Sequence, residues 1–169
     1  MNTLKLHVSI ENKLLETVVE IDDDPIKWGY VNLFDFFIDL LNKGINVPSY
    51  GNANTRIFYY NQQISTFEPF TCSCGVAGCA GIWSGIMTKH RKHTVEWKSN
   101  KDDGYQFINR FYSFDKEQYI SAIRDAYNQL QVLSDSDAVV DSYDEDVLLK
   151  DSLKHSYRWK EIKEYFKQR

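Results

Sequence analysis

Residues 114 to 133 read Phe-Asp-Lys-Glu-Gln-Tyr-Ile-Ser-Ala-Ile-Arg-Asp-Ala-Tyr-Asn-Gln-Leu-Gln-Val-Leu. The Asp115 carboxylate can accept from the orphan amides of a first helical turn, and Gln118, three positions on, fits a capping box. Phe114 and Tyr119 stand at the two positions of a hydrophobic staple. Ile120, Ile123, Tyr127, Leu130 and Leu133 then recur at helical spacing, which predicts a helix over 115–133 with one apolar stripe turned to a core. Immediately upstream, Gln106 to Tyr112 predicts a strand. The whole segment is therefore a strand feeding a capped, amphipathic helix.

Toward the N-terminus the periodicity changes to two. Leu4, Leu6, Val8 and Ile10 precede Glu11-Asn12-Lys13, and Leu14 and Val18 follow, which predicts a β-hairpin over residues 3 to 21. Asp22-Asp23-Asp24-Pro25 reads as a turn and helix entry; as a divalent-ion loop it lacks the alternating spacing and the glycine of a calcium site. The apolar run from Trp28 to Leu41, closed by Gly44, predicts a helix from about Asn32 to Lys43, apolar around most of its circumference and hence buried. Residues 45 to 55 have loop composition. Arg56 to Asn61 and Ile64 to Phe70 predict strands, and Ile86 to Lys98 predicts a second hairpin with Lys89-His90-Arg91-Lys92-His93 at or near its tip. Past the long helix, Leu149, Leu153, Tyr157, Trp159, Ile162 and Phe166 predict a C-terminal helix over 145–167. The expected fold is α+β: a largely antiparallel β-sheet with two packed helices and a C-terminal helix against an edge, in one domain spanning 1–169.

With 169 residues, 43% apolar and 26% charged, the chain has the balance of a globular domain that folds by itself. No apolar stretch reaches the roughly 18 residues that span a bilayer, so no membrane contact is expected. The N-terminus runs into a strand pattern instead of a signal-peptide core, and three cysteines confined to 72–79 cannot form a paired disulfide framework. Both features lead us to expect a cytoplasmic protein. A net charge of −4 argues against nucleic acid as a partner, although the basic run 89–93 is the kind of tract that touches phosphate.

The one unusual motif is Cys72-Ser73-Cys74-Gly75-Val76-Ala77-Gly78-Cys79-Ala80-Gly81-Ile82. Three thiols among glycines could hold zinc with His90 or His93, yet Cys72-x-Cys74 departs from the usual C-x2-C spacing. The other reading is a tight turn packed by small apolar side chains, with no cofactor. The set Cys72, Cys74, Cys79 and His90 stands as the metal alternative. Together with Val95 to Trp97 and Tyr112 to Tyr119, this segment resembles a group of small bacterial proteins carrying a C-x-C-G-x-x-G-C-x-G-I turn, a Val-x-Trp hairpin strand and a Phe-x-Phe-Asp-x-x-Gln-Tyr helix start. The resemblance covers about 50 residues. Proteins of this kind are similar to the immunity partners of secreted antibacterial toxins, including those of contact-dependent growth inhibition. The resemblance implies toxin neutralisation and assigns no interface.

No nucleophile elbow, P-loop or dinucleotide-binding glycine pattern occurs, so an enzyme is not expected. His90 and His93 are separated by Arg91 and Lys92, which would repel a metal ion or a developing cation. Residues 134 to 146 are more informative. They carry Asp135, Asp137, Asp141, Asp144, Glu145 and Asp146 with Val139, Val140 and Tyr143 and no basic residue. Carboxylates steer a cationic partner and a tyrosine anchors it, so Asp135, Asp137, Asp141, Tyr143, Asp144 and Asp146 are the expected contact with a cognate toxin domain. A solvated linker between helices would have the same composition.

Overall fold

The N-terminal strands β1 (Leu4–Glu11) and β2 (Leu14–Ile21) pair antiparallel, Leu4 opposite Ile21 and Glu11 opposite Leu14. Asn12 and Lys13 between them both lie in the left-handed region, with φ of 51° and 64°, the geometry of the two-residue turns that match strand twist. Leu4, Leu6 and Val8 of β1 and Val19 and Ile21 of β2 are buried, while Lys5, His7, Leu14, Glu16 and Val18 point outward, as a period of two requires. The computed structural model describes residues 1–26, 30–42, 65–67, 69–71, 86–99, 111–142, 145–155 and 159–168.

The further elements in chain order are β3 (Asp24–Pro25), β4 (Tyr30–Val31), α1 (Leu33–Asn42), β5 (Ser65–Phe67), β6 (Phe70–Thr71), β7 (Ile86–His90), β8 (Thr94–Ser99), β9 (Phe111–Asp115), α2 (Lys116–Asp135), β10 (Val139–Ser142), β11 (Glu145–Leu148), α3 (Leu149–His155) and α4 (Trp159–Lys167). Antiparallel pairing builds a four-stranded sheet in the order β5-β7-β8-β9, a three-stranded sheet β1-β2-β3 and the two-stranded ribbons β4-β6 and β10-β11. The fold is α+β.

Helix α2 joins the two larger sheets. The Asp115 carboxylate accepts from the amides of Glu117 and Gln118 at 3.0 Å, the expected cap. Phe114 and Tyr119 are fully buried with ring centroids 5.6 Å apart, the expected staple. Gln118 does not close a capping box. Its side-chain oxygen accepts from the Leu4 amide and its nitrogen donates to the Leu4 carbonyl. Gln129 treats the same strand alike, accepting from the Val8 amide and donating to the Leu6 carbonyl. These contacts fall on the side of β1 not paired to β2, so two glutamines occupy polar groups that an open sheet edge would offer to another chain.

Three expectations need correction. Asp22 and Asp23 form the expected turn, with φ of 56° and 66°, but Asp24–Pro25 pairs with β2 as a strand instead of entering the helix, which begins at Leu33 close to the expected Asn32. The strand expected over 106–112 is described from Phe111 and runs to Asp115, directly into α2; residues 106–110 lie outside the described residues, as do 56–61. Residues 145–167 are not one helix: Glu145–Leu148 is a strand, and the helical part is divided between α3 and α4. Leu149 and Leu153 of the first and Trp159 and Ile162 of the second are buried, so each short helix turns its own apolar stripe to the core.

The core is contiguous and strongly aromatic. Trp97 is ringed by Phe36, Tyr112, Phe114 and Tyr119 at centroid distances of 4.9 to 6.4 Å. Where α1 meets α2 and α4, Phe34, Phe37, Tyr127, Trp159 and Phe166 form a second group, with Tyr127 stacked on Phe166 at 4.5 Å. Aromatic pairs of this kind contribute about 0.5–1.5 kcal/mol each beyond their buried area.

Candidate functional site

In the acidic stretch, Val139–Ser142 and Glu145–Leu148 pair as a two-stranded ribbon, which a solvated linker would not form. Asp135 is the exposed last residue of α2, and Asp137 follows in a left-handed turn with φ 56°, paired with Lys150. In the ribbon, Val140 is buried opposite Val147, so the alternate positions point away from the core. There Asp141 stands directly opposite Asp146, both exposed. The ribbon is tied to the β1–β2 turn: the Asp141 amide donates to the Lys13 carbonyl at 2.8 Å, and the Lys13 ammonium lies 2.6 Å from Asp146 Oδ2. Asp146, through its hydrogen bond and charge, raises the Lys13 pKa, and Asp141 adds to this. Asp135, Asp137, Asp141 and Asp146 are thus gathered at one end of the molecule, while Tyr143 and Asp144 lie outside the described residues.

A second polar cluster was not anticipated. Asp39, at 0% exposure in the middle of α1, accepts from Thr88 Oγ at 2.9 Å through one carboxylate oxygen. Its other oxygen accepts from the Tyr119 hydroxyl at 2.9 Å and lies 2.8 Å from His90 Nε2. Trp97 Nε1 in turn lies 3.4 Å from the Tyr119 oxygen. With Asp39 ionised, Nε2 must carry the proton, because a carboxylate can only accept. Burial first, and then the Asp39 charge, push the Tyr119 phenol well above its ordinary range. The available signal was an aspartate inside an apolar helix, which cannot stay buried without partners.

This cluster revises the basic run. His90 is not on an exposed tip: its side chain is only 6% exposed and is held against Asp39. The tip is Arg91-Lys92-His93, with Arg91 paired to Glu96. It is fixed to the start of α2, since the Lys116 amide donates to the His93 carbonyl and the Lys116 ammonium to the Arg91 carbonyl. For the alternative metal set, Cys72, Cys74 and Cys79 lie outside the described residues, and His90 Nε2 is already engaged. Among the described residues no three His, Cys, Asp or Glu side chains are grouped to hold a metal ion, and no helix is long and apolar enough to cross a membrane.

Comparison with known proteins gives no match to a family model, a curated protein or a solved structure.

Proposed function

We propose that the chain is an immunity protein that binds and neutralises a cognate antibacterial toxin, a nuclease, by covering its active site. The observation that carries this reading is where the carboxylates stand. Like charges directly opposite on neighbouring strands destabilise a sheet, and Asp141 faces Asp146. Acidic groups at a helix C-terminus oppose the helix dipole, and Asp135 and Asp137 stand at that end of α2, whose last turn has no basic residue. Lys13 and Lys150 offset part of this. Against Asp135, Asp137, Asp141 and Asp146 these two lysines leave that end with an excess of negative charge, which a cationic partner would offset.

A nuclease cleft must be basic to hold phosphate, so a ribbon of carboxylates can occupy it and also draw it in from solution. The test is protection. Bacteria expressing a candidate nuclease toxin, sought among the genes adjoining this chain's, should survive when the chain is co-expressed, and the purified pair should lose nuclease activity at a one-to-one ratio. Survival without the chain, or an undiminished nuclease in the mixture, would remove the reading.

A further inference from the structure

We propose that the toxin-facing surface extends beyond the acidic ribbon onto the outer face of the β1–β2 hairpin, where Leu14 and Val18, with Val139, supply its apolar contact. This rests on the immunity reading above and names the rest of that site. Leu14 is 53% exposed, Val18 41% and Val139 39%. They are half of the six large apolar side chains left exposed among the described residues, and all three belong to one connected end of the molecule. Leu14 directly follows Lys13, whose carbonyl and ammonium hold the ribbon, and Val139 begins the ribbon strand that Lys13 touches. On β2 the outward positions are Leu14, Glu16, Val18 and Glu20, and across on β1 stand Glu11, Ser9, His7 and Lys5.

Exposed aliphatic groups interleaved with carboxylates suit one occupant, a basic protein surface with its own apolar prominence. Charge fixes the sign of the partner. Apolar side chains in a strand that has fully satisfied its inner face gain nothing from water, and they gain once a partner covers them. Lys5 and Lys13 do not reverse the sign, being paired to Asp23 and Asp146. Such an interface divides the work: carboxylates govern encounter, and the covered aliphatic groups govern how long the complex lasts.

The experiment uses the full chain and a candidate toxin, a nuclease domain sought among the genes adjoining this chain's, purified with its active site inactivated by substitution. Leu14→Asp and Val18→Asp should each leave the thermal transition in place, since both side chains are exposed. Each should weaken binding roughly tenfold or more, mostly through faster dissociation. Lys92→Ser, at the opposite end of α2, should not change dissociation. Wild-type dissociation rates in both aspartate variants would overturn the extension while leaving the ribbon as the contact. A wild-type chain that does not bind this domain would overturn the immunity reading itself and the extension with it.

Discussion

Asp39 shows at the scale of one residue how a buried charge is tolerated. Three groups, Thr88, His90 and Tyr119, converge on its two oxygens from β7 and α2, so α1 is held to both by a single carboxylate. Such a pair is not by itself a large source of stability, because desolvation offsets most of its attraction, but removing one partner leaves the others buried and unpaired. Asp39→Ala should therefore cost about 3–5 kcal/mol in a denaturant titration. A loss below about 1 kcal/mol would mean that water replaces the carboxylate and that the cluster does not hold α1 in place. Tyr119 adds a pH dependence with a definite sign. Its folded-state pKa is raised, so the neutral phenol's contribution is complete below the unfolded value of about 10 and is lost as pH rises toward the folded one. Wild type should lose stability above pH 10 more steeply than Tyr119→Phe, as read from denaturant midpoints between pH 8 and pH 11.5. Parallel curves would place the alkaline transition on other tyrosines. Neither effect was legible in sequence beyond the bare fact of an aspartate among phenylalanines, since Asp39 and Tyr119 are eighty positions apart.

Among the elements, α2 was the most legible, and its one misreading is instructive. Cap, staple and apolar period are local, and all three are present as expected. Gln118 matched the capping box equally well by position, but its side chain serves Leu4, 114 residues away, which no local pattern can reveal. The C-terminal segment failed for a related reason. Leu149 and Leu153 fit a helical period and the expected helix was begun at residue 145, yet pairing with β10 makes 145–148 a strand, so tertiary context overrides propensity. Two predictions belong here. Asp115→Ala should cost about 1 kcal/mol, and Ile123→Ala about 2–5 kcal/mol, because the first removes a cap and the second opens a cavity at a fully buried site. A denaturant midpoint unmoved by Ile123→Ala would contradict that burial. Gln118→Ala should speed hydrogen exchange at the Leu4 amide and Gln129→Ala at the Val8 amide, each without affecting the other. The two glutamines are eleven residues, about 16 Å, apart on the helix, so their effects should also add. Unchanged exchange at both amides would show that the edge of β1 is protected by something other than these side chains.

At the scale of the whole molecule, charge is separated along α2, whose 20 residues span about 30 Å. The basic tip with Lys89, Lys92 and Lys116 sits at the N-terminal end, and the ribbon with Asp135, Asp137, Asp141 and Asp146 at the other, so side chains and helix dipole point the same way. The sequence announced both runs, but their opposition depends on which helix end each one meets. If the acidic end steers a cationic toxin, association should slow steeply with added salt, since exposed charges are screened over roughly 10 Å at 0.1 M ionic strength. Neutralising Asp141, Asp144 and Asp146 together should slow association and flatten that salt dependence. Neutralising Lys89 and Lys92 should leave association as fast as wild type, because those charges stand near the far end of the helix, about 30 Å away and beyond the screening length. The two results together separate steering from a simple effect of net charge, which would respond in opposite directions to the two variants by similar amounts whatever their position. An association rate indifferent to salt and to the aspartate substitutions would place the contact away from the ribbon. Slower association after the lysine substitutions would instead make the basic tip the docking end and an acidic protein the partner.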